Sequence, residues 1–542
     1  MTKILLTPAK RYANKTFNAK DLVPWQLNDT TRSTKRVGIH WHALPPRNNR
    51  DGGPLETNDT ELPALGNPNA EIRHRVGYKL TLRRPDRGLS IAEMRVRDMM
   101  AELDLMEHMG VDIVFVNGGY DAPNNPYGMR SLTAWLEAAE RRGGRIQIAP
   151  CVDCTVPSGG PTLGAAEGQT AAADLIAQLR GTDPDVFIAE DKSASPYWAE
   201  VDGDKLLVLW KYYGNGDPID RGSTPDFVDA LRTDLEAEFG ALHVLGTTGS
   251  SNSDVTGTVI DPAFSTSIDA VCDWGTRVYG ADQHARAAEL TGNGQGWVPW
   301  MALGFGFTNH DDPGDVVARI YEHGNTRYMR NTFEAIRAGG LQNIQLVTWN
   351  DVMEGSAVAP TTAEQFAVYD LLTYYLNWFK SGKRPRIVRD GLYYFHRLHE
   401  VDTADANVLV RYNEAVVDDV ECVAFLVRPG DVVVTIGGVE VARETLPAGM
   451  HSVIGAIAGN TGEVRCFIER GGVEEHGVTS EFTIGAWDAT TRDCFYRAGS
   501  SLRANSSRAP RPQADGSTDP DAWLDKAQGE PVAYVHPGPD AP

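Results

Sequence analysis

The stretch Leu346–Pro360, LVTWNDVMEGSAVAP, begins as an apolar strand and ends at a proline that announces a helix. Between them Asp351 and Glu354 stand three residues apart, directly after Trp349 and Asn350. Two acids on one turn can divide a reaction between them: one gives a proton while the other attacks or activates water. The same two residues also suit plain turn chemistry, with Asp351 closing the turn and Glu354 favouring the N-terminus of the next helix. Which reading holds depends on whether the rest of the chain builds a cavity around them.

The elements that would have to build it recur along the chain as short apolar strand, polar loop and helix. The strands are VGIHWHA (37–43), DIVFVNGG (112–119), IQIAPCVD (146–153), KLLVLWKYY (205–213), LHVLGTTG (242–249), IDAVCDWG (268–275), GWVPWMALG (296–304) and IQLVTWND (344–351). Several are near-continuous apolar runs, as strands covered on both faces by helices must be. A helix is predicted from Ser90, with Glu93 at capping-box spacing, to Gly110, its stripe formed by Met94, Met99, Leu103 and Met106. A second is predicted after Thr362 and Gln365, with Phe366, Tyr369, Leu372, Leu376 and Phe379 as its stripe. Eight strands alternating with helices predict an α/β fold, a (β/α)8 TIM barrel over 37–385. A doubly wound open sheet is the rival, but no strand runs into a glycine-rich phosphate loop.

In such a barrel the chemistry gathers where the strands finish. The first strand offers His40 and His42 on one face, fit for a metal, for sugar hydroxyls or for ordinary packing; no third ligand at suitable spacing supports a metal. The second ends in Asn117, Tyr120 and Asp121, the third at Asp153, and the fourth at Trp210, Lys211 and Tyr212. The sixth delivers Asp273 and Trp274, and the seventh carries Trp297 and Trp300. Aromatic faces beside carboxylates and amides suit a ring that is apolar on its C–H faces and edged with hydroxyls. A glycosidic bond needs a proton for the departing oxygen and a second carboxylate, which Asp351 and Glu354 could supply. No G-x-S-x-G elbow and no P-loop is present, so a serine triad and nucleotide chemistry lack support.

Composition narrows the partners. The chain has 542 residues, 42% hydrophobic and 23% charged, with a net charge of −22. That excess of acid argues against nucleic acid or an anionic membrane and fits a neutral polysaccharide. No apolar run approaches the roughly 20 residues of a bilayer span. The N-terminus, MTKILLTPAKRYANK, does not read as a secretory signal, so the expectation is a chain cytoplasmic as made, or released by lysis or carried on a virion. Attachment to other virion proteins through either end, with homo-oligomerisation, belongs to that expectation. Six cysteines include one C-x-x-C, Cys151 and Cys154, open to redox or packing roles, and Cys422 and Cys466, which could bridge. No cofactor is implied.

Residues 1–36 read as a polar arm with a few aromatics, including Trp25. After SGKRP (381–385) the pattern changes to short alternating runs such as CVAFLV, DVVVTIG and VRCFIER, separated by Gly, Pro, Asn and Asp. These predict a β-sandwich over 386–495. From 496 to 542 the chain is rich in Ser, Pro, Asp and Gly and reads as an extended tail.

TWNDVMEGSAVAP followed by YYLNWFKSGKRP resembles glycoside hydrolase family 71, the α-1,3-glucanases or mutanases, which carry Trp-Asn-Asp-Tyr-Gly-Glu-Ser before a helix ending in a lysine- and glycine-containing turn. LYYFHRLHEVD looks like the segment leading into that family's second domain, and VTIGGVEVARETLPAGMHSVIGAIAGNTGEVRCFIERGG is similar to its sandwich. The resemblance covers roughly 37 to 485 and is strongest in its last third. It implies an O-glycosyl hydrolase without cofactor or metal, with Asp351 and Glu354 as the catalytic pair, Glu354 acting as the acid, and Trp349 and Asn350 as the preceding aromatic and amide. Two departures stand out: Val352-Met353 replaces the family's Tyr-Gly, and the family's secretion signal is missing. A related family of endo-acting α-mannosidases uses two acids at this spacing, so the glycan stays open. A different class of function, a carbohydrate-binding adhesin of a phage tail on a barrel that no longer turns over, would not need both carboxylates.

Overall fold

The computed structural model describes residues 23–42, 91–119, 131–154, 163–184, 186–212, 223–248, 260–275, 278–310, 318–351, 354–361, 363–410, 415–489 and 492–502. Eight parallel strands form its centre: β1 (Arg36–His42), β2 (Ile113–Gly119), β3 (Gln147–Asp153), β4 (Asp204–Trp210), β5 (Leu242–Thr247), β6 (Ala270–Cys272), β7 (Val298–Leu303) and β8 (Asn343–Leu346). They lie in the order β3-β2-β1-β8-β7-β6-β5-β4, and β3 also pairs with β4, which closes the ring. β8 meets β1 with Leu346 opposite Ile39, so the first and last strands form the seam. The fold is therefore a (β/α)8 barrel, as the strand pattern predicts.

Helices α1 (Ile91–Met109), α2 (Leu132–Arg142), α3 (Ala165–Leu179), α4 (Pro225–Phe239), α5 (Gln283–Thr291), α6 (Arg327–Ala338) and α7 (Ala367–Ser381) follow the strands in turn. After β5 the described residues hold only the 3-10 turn Pro262–Phe264. Ser90, of the expected capping device, and the side chain of the stripe position Met94 lie outside what is described, but Met99, Leu103 and Met106 are buried as expected. α7 begins later than expected, at Ala367, because Gln365 sits in the left-handed region at φ 52°, where a helix cannot run through it. Thr362 lies outside the described residues.

Strand alternation sorts side chains between two cores. Ile113, Phe115, Cys151, Val208, Cys272 and Trp300 face the barrel axis and fill its floor. Their neighbours Val114, Val116, Leu207, Leu209, Met301 and Leu303 face the helices. Phe115 lies over Gly38 of the neighbouring strand β1, where a Cβ would fall 2.1 Å from its Cζ. Each fully buried side chain of this size contributes about 1.5–3 kcal/mol.

The β-rich region is a sandwich. One sheet, in the order β13-β10-β9-β16, comprises β9 (Gly391–His396), β10 (Asp419–Leu426), β13 (Gly449–Ala456) and β16 (Arg497–Ser500). The other, in the order β12-β11-β14-β15, comprises β11 (Gly430–Ile436), β12 (Val439–Leu446), β14 (Gly462–Arg470) and β15 (Val473–Ile484). The first sheet serves two cores. From β9, Leu392 and Tyr394 point into the sandwich while Tyr393 and Phe395 join the barrel's packing. From β10, Cys422 and Ala424 do the first and Val423 and Phe425 the second.

The tail expected from residue 496 thus begins with a strand. Its polar sequence hides this because Arg497 is neutralised in place by Asp493, at 2.5 Å. Of the expected arm, residues 1–22 lie outside the described residues; further along, Trp25–Gln26 pairs with Arg386–Ile387, and the Trp25 ring lies 5.1 Å from Tyr374 and 4.8 Å from Phe425.

A polar joint completes the contact. The Arg397 guanidinium donates to Glu322 at 2.9 Å and to the carbonyls of Cys494 and Val417, and lies over the Tyr496 ring. All six cysteines are buried and free. Cys422 and Cys466 meet inside the sandwich without bridging. Burial raises the Cys151 and Cys154 thiols well above their usual range, which makes them packing residues rather than a redox pair. Among the described residues no helix is long and apolar enough to cross a membrane.

Candidate active site

β1 carries Ile39 and Trp41 toward the helices, so His40 and His42 face the axis. Their rings lie 4.7 Å apart. Trp274, just beyond β6, meets His40 edge-on at 4.6 Å and Trp210, the last residue of β4, at 5.3 Å. Trp210 in turn reaches His42 at 5.8 Å. Asn117, near the end of β2, places its amide nitrogen 3.3 Å from His42 Nδ1. These groups come from four separate strands and meet only because the barrel closes.

The turn after β8 is fastened to this wall. Asn350 accepts from the His42 backbone N–H at 2.9 Å and donates to the His42 carbonyl at 2.7 Å. Asp351, 6% exposed, then turns one carboxylate oxygen back onto the Glu354 N–H at 3.2 Å. The other faces His42 Nε2 at 3.9 Å. The Glu354 carbonyl accepts from Thr308 N–H at 2.8 Å, and Gly355 at φ 58° lets the chain pass Phe495, which a Cβ would approach to 2.9 Å. Asp351 therefore does close the turn. It does so with one oxygen while the other faces His42, so turn chemistry leaves one carboxylate edge turned to the site.

Not every expected residue reaches the mouth. Tyr212 is fully buried behind β5, edge-on to Phe264 at 5.0 Å and covering Gly246, whose absent side chain makes the space. Trp300 lies in the floor against Phe115 at 5.9 Å. Trp349 points outward and donates its indole N–H to Glu102 of α1 at 3.0 Å. Asp273 is 2% exposed and gives one oxygen to Ala302 N–H at 2.8 Å, taking the place of a strand neighbour on β7; burial raises its pKa. Trp297 is buried among the outer packing. These five are corrections: Trp300 does look inward but lies in the floor, while Tyr212, Asp273, Trp297 and Trp349 lie outside the regular bounds of their strands, where alternation no longer sets direction.

Two expected residues stay at the rim. Asp153 follows two positions after inward-facing Cys151 and sits opposite Trp210 across the closing strand pair. Lys211, in the left-handed region at φ 55°, lays its ammonium 4.8 Å above the Trp210 ring. Tyr120, Asp121, Val352 and Met353 lie outside the described residues. Two polar residues that sequence reading passed over, Thr247 and Gln345, bond across the barrel at 3.2 Å. A polar residue inside an apolar strand was the signal that marked them. Among the described residues no group of three or more His, Cys, Asp or Glu side chains is arranged to hold a metal ion.

Fold and mouth together define a (β/α)8 protein with the Asp351 carboxylate, a histidine and aromatic walls on the face where such barrels carry their chemistry. Residues 307–485, about a third of the chain and the part that includes Asp351 and Glu354, match the model of glycosyl hydrolase family 71. No curated protein matches the chain. Among solved structures, the chain is similar to the GH99 endo-alpha-mannosidase from Bacteroides thetaiotaomicron, at 10% identity and a TM-score of 0.42, covering 66% of this chain and 99% of that one. It is also similar to a beta-glucuronidase from Bacteroides uniformis, at 13% identity and 0.35, covering 76% and 46%. A glycosyl hydrolase family 2 member from Bacteroides cellulosilyticus gives 10% and 0.38, covering 83% and 46%.

Proposed function

We propose that this protein hydrolyses glycosidic bonds of a polysaccharide, with Asp351 and Glu354 as the acting pair. The observation that carries the reading is the Asp351 carboxylate. It follows the last strand of a closed barrel, one oxygen on the Glu354 N–H and the other toward His42, inside a segment that matches a glycoside hydrolase family. In this reading Asp351 is the nucleophile or general base and Glu354 the general acid, the order that the family resemblance implies. Trp210 supplies a ring face for the sugar, with Lys211 and Asp153 at the rim. The first substrate to test is α-1,3-glucan, followed by mannan and bacterial cell-wall or capsular glycan.

The decisive variants are Asp351→Asn and Glu354→Gln. The asparagine retains an oxygen to accept from Glu354 N–H, so the turn survives while the charge is lost. Reducing-sugar release should fall about 10²–10⁴-fold in each, with glycan binding nearly unchanged. Hydrolysis at the natural rate in both variants would refute the assignment. Binding without hydrolysis in the unaltered chain would favour a carbohydrate-binding adhesin.

A further inference from the structure

His42 stands between two groups, and its geometry separates it from the sugar-contacting residues. One ring nitrogen, Nδ1, lies 3.3 Å from the Asn117 amide nitrogen. The other, Nε2, lies 3.9 Å from the Asp351 carboxylate. The residue is held at its backbone by both bonds of the Asn350 amide, and its ring is flanked by His40 at 4.7 Å, Trp210 at 5.8 Å and Trp274 at 6.2 Å. A side chain fixed at backbone and ring, with each nitrogen turned to a protein group, is built to orient rather than to recognise.

We propose that His42 is a positioning residue that holds the Asp351 carboxylate in its reactive orientation, and that Asn117 sets the tautomer in which it does so. The inference rests on the reading of Asp351 as one of the acting pair. An amide nitrogen only donates, so the imidazole nitrogen opposite it accepts, and the ring proton of neutral His42 then resides on Nε2. That proton points at Asp351. The opposite amide orientation would put the proton on Nδ1 and aim the Nε2 lone pair at a carboxylate, two acceptors facing one another, which the geometry disfavours. At 3.9 Å the contact is longer than a hydrogen bond, and catalytic contacts of this kind close when substrate is bound. His42 therefore acts through Asp351 and leaves the sugar to the aromatic wall.

Two measurements test this on the full chain. The first is nitrogen NMR of protein grown on isotope-labelled histidine, with the His42 signals identified by their loss in His42→Gln. At neutral or higher pH the proton should reside on Nε2; a proton on Nδ1 overturns the inference. The second compares His42→Leu with His42→Gln on the glycan that the natural chain cleaves among α-1,3-glucan, mannan and cell-wall polysaccharide. Leucine should lower kcat about 100-fold with KM changed less than about 2-fold, and glutamine, which places an N–H near the same point, should restore most of the rate. A loss that falls on KM, or one that glutamine does not repair, overturns it. Absence of sugar release from every one of these glycans would sink the proposed reaction, and the ring proton alone would then decide the inference.

Discussion

Glu364, three residues beyond Thr361 at the joint between barrel and sandwich, should make the protein sensitive to base. Its carboxyl is 7% exposed and accepts from the Thr361 hydroxyl at 3.2 Å. Burial pushes its pKa up to about 8, tempered by the Thr361 bond and by Arg497. Arg497 offsets it only weakly because its guanidinium is already bound to Asp493 at 2.5 Å. The folded chain thus keeps this proton up to about pH 8, whereas the unfolded chain releases it near the ordinary value of 4.5. Between these values the folded state binds more protons, so stability is full below the lower pKa and is lost as pH rises through the upper one. The slope reaches about 1.4 kcal/mol per pH unit, and the whole window amounts to about 5 kcal/mol at most. Glu364→Gln keeps an oxygen for Thr361 and removes the ionisation. Urea unfolding of both proteins, followed by tryptophan fluorescence from about pH 5 to 8, should show the variant gaining on the natural chain as pH rises. A difference that stays constant across that range would mean the carboxyl is hydrated or paired, and the burial argument would fail.

Two other changes probe the same joint. Arg397→Met leaves Glu322 buried without its cation and should cost about 3–5 kcal/mol of stability, with part recovered when Glu322→Gln is added; a single variant as stable as the natural protein would contradict the network seen here. Truncation after Arg384 removes the Phe425 and Tyr393 faces that cover Trp25 and Tyr374, so the shortened chain should aggregate on gel filtration. A monomeric, equally stable barrel would show instead that the sandwich is an independent module.

The barrel was legible because each strand is a compact apolar run bounded by turn residues, and all eight fall within a few positions of where those runs lie. His40 and His42 were legible as a same-face pair because a spacing of two is decisive in a strand. Which way the aromatic residues point was not. Tyr212 and Trp349 lie beyond the regular ends of β4 and β8, where alternation no longer governs direction, and both turn into the helical layer. The clamp of Asn350 on His42 spans 308 positions of sequence, and nothing local announces it. Arg497 misled for another reason: a charged residue looks solvated until the acid that neutralises it is known.

The seam between β1 and β8 gives the molecule an assembly rule. Asn350 and Asp351 arrive from the last staves of the ring and His42 from the first, and each is fixed by the other side. The arrangement of these side chains is therefore a property of the finished circle. A ribosome must deliver both edges before the mouth exists, and a fragment carrying either edge alone holds the right residues with nothing to aim them.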